Sequence, residues 1–296
     1  MEVAIVGALT LDYLGDSSSP VLGGPPVYAG QAAKALGAHV KAYTAVGDDF
    51  PQPLIKRLTE LGIELSATRV KDMPSYRFKA VFKAGKRMLS MISMGPEIPL
   101  QALEDIRADA VIASPVFKEI SVEHLSLLRD RTELLVVDLQ GFLRDIVENG
   151  LVSLKTPAMK EIVPLADVFH CSEEEAAVLT GFTGPAEVAE ALQRLGVRTT
   201  LVGYVEGVLV VTEGNYMFLN VQNNHTPVDT TGAGDMLTGA LTAFLLKGYS
   251  VEEAAANALG YVRLWLRNPP PFRAAAPSQP VPEVKVVWRR AAYRIP

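Results

Sequence analysis

The 296-residue chain holds a single cysteine, Cys171, so an intrachain disulfide framework is excluded and the fold must rest on packing alone. It has no surplus of basic residues: 28 Lys and Arg stand against 33 Asp and Glu, a formal charge of −5. No broad positive surface is therefore expected to grip a nucleic-acid backbone. No apolar run approaches the roughly 20 residues that a membrane helix needs. The opening MEVAIVGALTLDYLG lacks a basic stretch before its apolar residues and is interrupted by Asp12, which reads as a first buried strand rather than a signal peptide. These absences predict a cytoplasmic protein with neither a membrane nor a nucleic acid as partner. The Walker pattern ending in Lys-Ser or Lys-Thr is missing, and His39, His124, His170 and His225 show no metal-ligand spacing. A zinc centre and a Ser-His hydrolase site are disfavoured on that ground.

What is present is a rhythm. Short apolar runs lie near residues 3, 40, 110, 134, 166 and 199, and amphipathic stretches ending in glycine, such as Pro51–Gly62 and Pro185–Gly196, fall between most of them. Buried strands alternating with helices predict an α/β sandwich of three layers, a mostly parallel sheet covered on both faces. Ligands then belong at the carboxyl ends of the strands. Two segments break the rhythm. Residues 69–94 carry partial alternation with a Gly-containing turn at Ala84–Gly85, a hairpin pattern. Residues 11–22 bend at Gly15 through a Ser-rich turn. Together they predict a small β-lid on a single domain spanning residues 1–296, and exposed apolar strands there suggest a homodimer formed through the lid. Prolines from Pro269 to Pro282 predict a loop before a last strand near VKVVW.

The run Asp229-Thr230-Thr231-Gly232-Ala233-Gly234-Asp235 opens a stretch that is apolar on nearly every face and stops at Lys247-Gly248. Small residues thus sit where a helix begins, and there unpaired amides and the positive end of the helix dipole can hold an anion. Asp235 is out of place in an anion site unless it has a proton to take, as phosphoryl transfer to an alcohol requires. A capped Gly-rich turn remains the alternative reading of these residues. A dinucleotide-binding oxidoreductase would want another glycine spacing directly after the first strand.

Asp-Thr-x-Gly-Ala-Gly-Asp running into a helix resembles the C-terminal signature of the ribokinase/PfkB carbohydrate kinases. Gly23-Gly24 followed by PPVYAGQAAKALG resembles their N-terminal signature, and the similarity extends over essentially the whole chain. The resemblance implies a ribokinase-like fold and a kinase that uses ATP and Mg2+, with a monovalent cation as a further candidate. It implies Asp235 as general base and Gly232, Ala233 and Gly234 as the anion hole. Asp12, Gly23, Gly24 and Tyr28 fall on its acceptor side. Glu175 of HCSEEEAAVLTG matches a glutamate that organises magnesium, although Ser172 replaces the usual Asn. Thr230, Gly203, Gly207 and Asn257 are the nucleotide-side candidates, the two glycines at altered spacing.

Asp138-Leu139-Gln140-Gly141-Phe142-Leu143-Arg144 ends a buried strand at the edge where substrates bind. Gln140 is a candidate for hydrogen-bonding acceptor hydroxyls and Arg144 for steadying a phosphate. This run, with ASPVFKEI and GGPPVYAG, is similar to archaeal myo-inositol kinase-like members. The expected acceptor is therefore a polyol of the myo-inositol kind. A pentose, a ketodeoxy sugar acid or a nucleoside are the alternatives, and a non-catalytic nucleotide-binding protein of the same fold is the distant one.

Overall fold

The computed structural model describes residues 1–83, 86–221, 230–267 and 284–291. Strand β1 (Glu2–Val6) is followed by β2 (Thr10–Leu14) and β3 (Val21–Gly23), and helix α1 (Pro25–Ala35) returns the chain to β4 (His39–Gly47). Helix α2 (Gln52–Glu60) leads to β5 (Glu64–Val70), and then come β6 (Arg77–Lys83) and β7 (Lys86–Ser93). Next are β8 (Ala110–Ala113), α3 (Val122–Arg129) and β9 (Leu134–Asp138). After β9 the short α4 (Gln140–Leu143) precedes a ribbon of β10 (Arg144–Ile146) and β11 (Val152–Leu154). A turn of helix, α5 (Met159–Ile162), leads to β12 (Val168–Ser172), α6 (Glu173–Thr180) and α7 (Pro185–Arg194). The chain continues through β13 (Thr199–Gly203), β14 (Gly207–Thr212) and β15 (Asn215–Val221). Helices α8 (Ala233–Leu246) and α9 (Val251–Leu266) precede β16 (Val284–Ala291).

Ten strands form one sheet in the order β16-β15-β14-β13-β12-β9-β8-β1-β4-β5. From β5 to β13 every pairing is parallel, and β14, β15 and β16 add an antiparallel edge. Successive side chains of a strand face opposite layers. Accordingly Val3 and Ile5 enter the core shared with α1, α8 and α9, whereas Ala4 and Val6 enter the core shared with α3 and α7. This is the expected α/β sandwich, and all six apolar runs are strands of it. The loop expected around Pro269–Pro282 and the turn at Ala84–Gly85 lie outside the described residues.

The smaller sheet has the order β3-β2-β6-β7. It is the β-lid, but the second excursion starts at Arg77, because Arg69 and Val70 end β5 in the main sheet. β5 is an edge strand with an alternating, half-exposed pattern, which imitates a hairpin strand in sequence. Arg69 bonds inward to the carbonyls of Gly47 and Asp48 at 3.1 and 2.9 Å. The lid has its own apolar core, in which Tyr76 and Phe78 pack with Val116 and Phe117. At its base Arg77 pairs with Asp49 at 2.6 Å, and Asp49 also accepts from the Ser75 amide and hydroxyl at 2.8 and 2.7 Å.

One buried acid ties the loops on which the cavity is built. Glu119 is wholly inaccessible; its Oε1 accepts from the amides of Ala8 (3.1 Å) and Val116 (2.6 Å), and its Oε2 from Phe117 (2.9 Å). The loop after β1 is thereby fastened to the loop after β8. Burial pushes its pKa up, and the amides pull against that rise. Glu119→Gln sets an amide N–H against a backbone N–H. It should destabilise the fold by about 1–3 kcal/mol, the cost of a buried unsatisfied donor, read as a lower urea midpoint at unchanged m.

Candidate active site

A cavity of about 480 Å³ opens at the carboxyl ends of the central strands, beneath the lid. Phe78, Leu89, Val152 and Leu154 roof it, while Asp12, Gln140, Asp235 and His170 line it with polar atoms. Helix α8 points its N-terminus at this space. Gly232 caps the helix at φ +80°, and a Cβ there would meet the Tyr28 ring at 2.5 Å, so only glycine serves. The Ala233 amide donates to the Thr230 carbonyl at 3.0 Å. The amides of Gly234 and Asp235 begin the helix without a helical acceptor and are available to an anion. Gly24 caps α1 in the same way, at φ +94°, against the Ala8 carbonyl.

Asp235 lies deep below the surface yet faces the cavity. Its Oδ1 accepts from Gln140 Nε2 at 3.1 Å and from Ser114 Oγ at 3.4 Å. Among the described residues no donor reaches Oδ2. Burial drives its pKa up to about 7; the Asp138 charge adds to the rise, and Arg144, His170 and Ser114 oppose it. Arg144 spends its guanidinium within the protein, donating to Gln140 Oε1 and to the Val116 carbonyl, both at 2.8 Å. The resulting chain runs from Arg144 through Gln140 to Asp235 and orients the Gln140 amide. Asp12 sits against Gly23 on the neighbouring strand, where any side chain at position 23 would overlap the carboxylate.

A family model described as pfkB family carbohydrate kinase matches residues 21–262. The chain belongs to this family. It is a carbohydrate or polyol kinase of the ribokinase-like fold. A cytidine kinase from Thermococcus kodakarensis is 22% identical over 279 residues, covering 90% of this chain and 97% of that protein. Among solved structures, a pyrophosphate-dependent kinase of the ribokinase family, complexed with a pyrophosphate analogue and myo-inositol, superposes with a TM-score of 0.81. It is 24% identical and covers 92% of this chain and 97% of its own. A fructokinase from Vibrio cholerae, bound to fructose, ADP and a potassium ion, gives a TM-score of 0.73 at 18% identity, covering 93% and 94% of the two chains. At these identities the structures show a common fold.

In this pfkB kinase the remaining expected residues divide. Thr230, Gly203 and Glu175 line the cavity, whereas Gly207 lies within β14 and Asn257 bonds the Glu253 carbonyl on the exposed side of α9. Asp229 lies outside the described residues. Glu175 is buried at 7% exposure and completes a capping box on α6, its Oε2 accepting from the Ser172 amide at 2.7 Å. Burial raises its pKa, and Asp138 raises it further.

A pair that sequence reasoning missed lies beside Asp235. His170 on β12 and Asp138 on β9, exposed by 5% and 2%, join through Nδ1 and Oδ2 at 2.8 Å. Burial works against charging the ring, but the Asp138 charge and hydrogen bond outweigh it, and its pKa is raised. The two residues are 32 positions apart. Only the adjacency of β9 and β12, with His170 directly opposite Asp138, brings them together.

The raised pKa of Asp235 has a thermodynamic sign. Between the ordinary value of 3.8 and about 7 the folded chain holds a proton that the unfolded chain has lost, so stability falls as pH rises through that window and is flat above it. Asp235→Asn keeps the Oδ1 acceptor and removes this penalty. At pH 8 the variant should be more stable than the parent by about 1–3 kcal/mol, solvent in the cavity reducing the full linkage value, and the gap should close near pH 4. Denaturant titrations at both pH values check this.

Proposed function

We propose that this kinase transfers the γ-phosphoryl of ATP to a hydroxyl of a polyol, myo-inositol or a related ring polyol, with Asp235 as general base. The observation that carries the reading is the placement of Asp235. Its carboxylate adjoins the amides that open α8 and lines the cavity, its Oδ2 has no donor among the described residues, and its pKa is pushed to about 7. A base poised near the operating pH combines a useful deprotonated fraction with real proton affinity. A phosphoryl group held at the α8 amides would stand within reach of an alcohol resting on Oδ2. As the alcohol oxygen bonds to phosphorus, its proton passes to Asp235 and the bridging oxygen leaves with the nucleoside diphosphate. Asp12 supplies an acceptor group for a further hydroxyl, Gln140 having both N–H donors on Asp235 and Ser114, and the apolar roof excludes the water that would compete for the phosphoryl group. The outward lid residues Met88, Ile92 and Met94, each more than 40% exposed, support a homodimer through the lid.

Magnesium fits this site as an ion held chiefly by donor phosphate oxygens and water. Among the described residues no three His, Cys, Asp or Glu side chains are grouped to hold a metal ion, and Glu175 alone lies at the expected place. When bound, the ion would neutralise charge on the β- and γ-phosphates. Glu175→Gln retains the capping acceptor and should raise the magnesium concentration for half-maximal rate several-fold, with the acceptor KM unchanged. Superimposable magnesium titrations would remove Glu175 from the metal's surroundings.

The deciding experiment is acceptor-dependent release of ADP across inositols, pentoses, hexoses, ketodeoxy acids and nucleosides, with inorganic pyrophosphate run beside ATP as donor. Turnover should be greatest with an inositol. Asp235→Asn should lower kcat by about 10²–10⁴ while ATP still binds, and the parent's kcat/KM should decline below pH 7 as Asp235 takes up its proton. A folded Asn variant with parental turnover would reduce Asp235 to a helix-terminus residue.

A further inference from the structure

The cavity is short of positive charge. Among the described residues six carboxylates line it, those of Asp12, Asp138, Glu173, Glu174, Glu175 and Asp235, against two side chains able to carry a positive charge, Arg144 and His170. Arg144 places Nη1 on the Val116 carbonyl and Nη2 on Gln140, so part of its donor set is used within the protein. The other is His170, whose ring lies beside two glycines of the cavity wall. A Cβ added to Gly234 would stand 3.0 Å from its Cε1, and one added to Gly203 would stand 3.6 Å from its Nε2. The Cε1–Nε2 edge therefore lies between two cavity-lining glycines, one of them on the first turn of α8. The Nδ1 edge is fixed by Asp138 at 2.8 Å. Nε2 has no hydrogen-bond partner among the described residues.

We propose that His170 is a ligand of the donor's terminal phosphate, its Nε2–H donating to an oxygen of the same phosphate that the Gly234 amide receives. The inference rests on reading the α8 end of the cavity as the donor side. Asp138 accepts a hydrogen bond from Nδ1–H, so a second proton on Nε2 makes the ring an imidazolium. Asp138 from β9, Glu175 from α6 and Asp235 from α8 face the ring, and all three favour its charged form. An arriving phosphate adds a fourth negative group. In this arrangement the glycine at 234 has two tasks, giving the phosphate access to backbone and leaving room for the ring. The carboxylate cluster around Asp235 thereby gains a cation that an anionic donor can use, alongside whatever charge a metal brings with it.

The alternative is that His170 only fastens β12 to β9. The amide of Asn overlays Nδ1 and preserves the Asp138 bond while removing the Nε2 edge; that of Gln extends toward Nε2. Calorimetric titration with ATP, its β,γ-methylene analogue and inorganic pyrophosphate should show donor affinity weakened about 10–100-fold in His170→Asn, the loss of one charge-assisted hydrogen bond, and partly restored in His170→Gln. Acceptor affinity should not move. A folded Asn variant that binds all three probes like the parent overturns the proposal. Should neither variant fold, ¹⁵N-histidine spectra of the parent decide. With the other three rings assigned by His39→Gln, His124→Gln and His225→Gln, saturating β,γ-methylene ATP should shift the His170 Nε2 signal toward its protonated position, and an unmoved signal overturns the proposal. Donor binding lost in the Asn variant, with no acceptor of the panel phosphorylated, removes the polyol reading and keeps His170. Full polyol turnover with unchanged donor affinity does the reverse.

Discussion

Carboxylates held close together away from water repel one another, and the architecture around this cavity is organised by that repulsion. Asp138, Glu175 and Asp235 come from β9, α6 and α8 to line one cavity, with desolvation and the Asp138 charge raising the last two. Such a cluster is tolerable only where cations and donors are interleaved. His170 takes Asp138, Ser114 and Gln140 take Asp235, and the Ser172 amide takes Glu175. What remains is Asp235 Oδ2, which no donor among the described residues reaches. The raised pKa of Asp235 is thus produced by its burial and its neighbours, not by its own chemistry.

The parallel sheet makes that convergence possible. Seven parallel strands deliver their carboxyl ends to one edge, so loops from distant parts of the chain meet there. Glu119 then locks two of those loops by accepting three backbone amides, and the Arg144–Gln140 chain locks a third against Ser114. Loops fastened in this manner hold polar atoms to fractions of an ångström, which phosphoryl transfer needs because it is governed by position and electrostatics.

Much of this was legible in sequence. The apolar runs are strands because strands buried on both faces are built mostly of apolar residues. The turn through Gly232–Asp235 announced itself because an acid among small residues at a helix start has few structural uses. The lid hairpin showed as alternation, and its start was misplaced at Arg69 because an edge strand alternates too. The pairings were not legible. His170 was one of four scattered histidines, Glu119 one acid among many, and Arg144 looked like a phosphate clamp before its hydrogen bonds to Gln140 and Val116 were known. In each case the partner lies on another element, and adjacency of elements is a tertiary fact that local spacing does not encode. The pKa of Asp235 was hidden for the same reason, since burial is not a property of a motif.

The contact between α1 and α8 has a mechanical consequence. A Cβ on Gly239 would overlap the backbone of Ala29, so the two helices meet main chain against main chain, and Gly232 rests on the Tyr28 ring. Helices α1 and α8 therefore have no clearance at this contact in which to slide or rock. They behave as a single girder. The smaller sheet is tied to that girder, because its strand β3 runs through Gly24 directly into α1. The spacing between the Gly24 and Gly232 ends of the cavity is therefore a property of the frame.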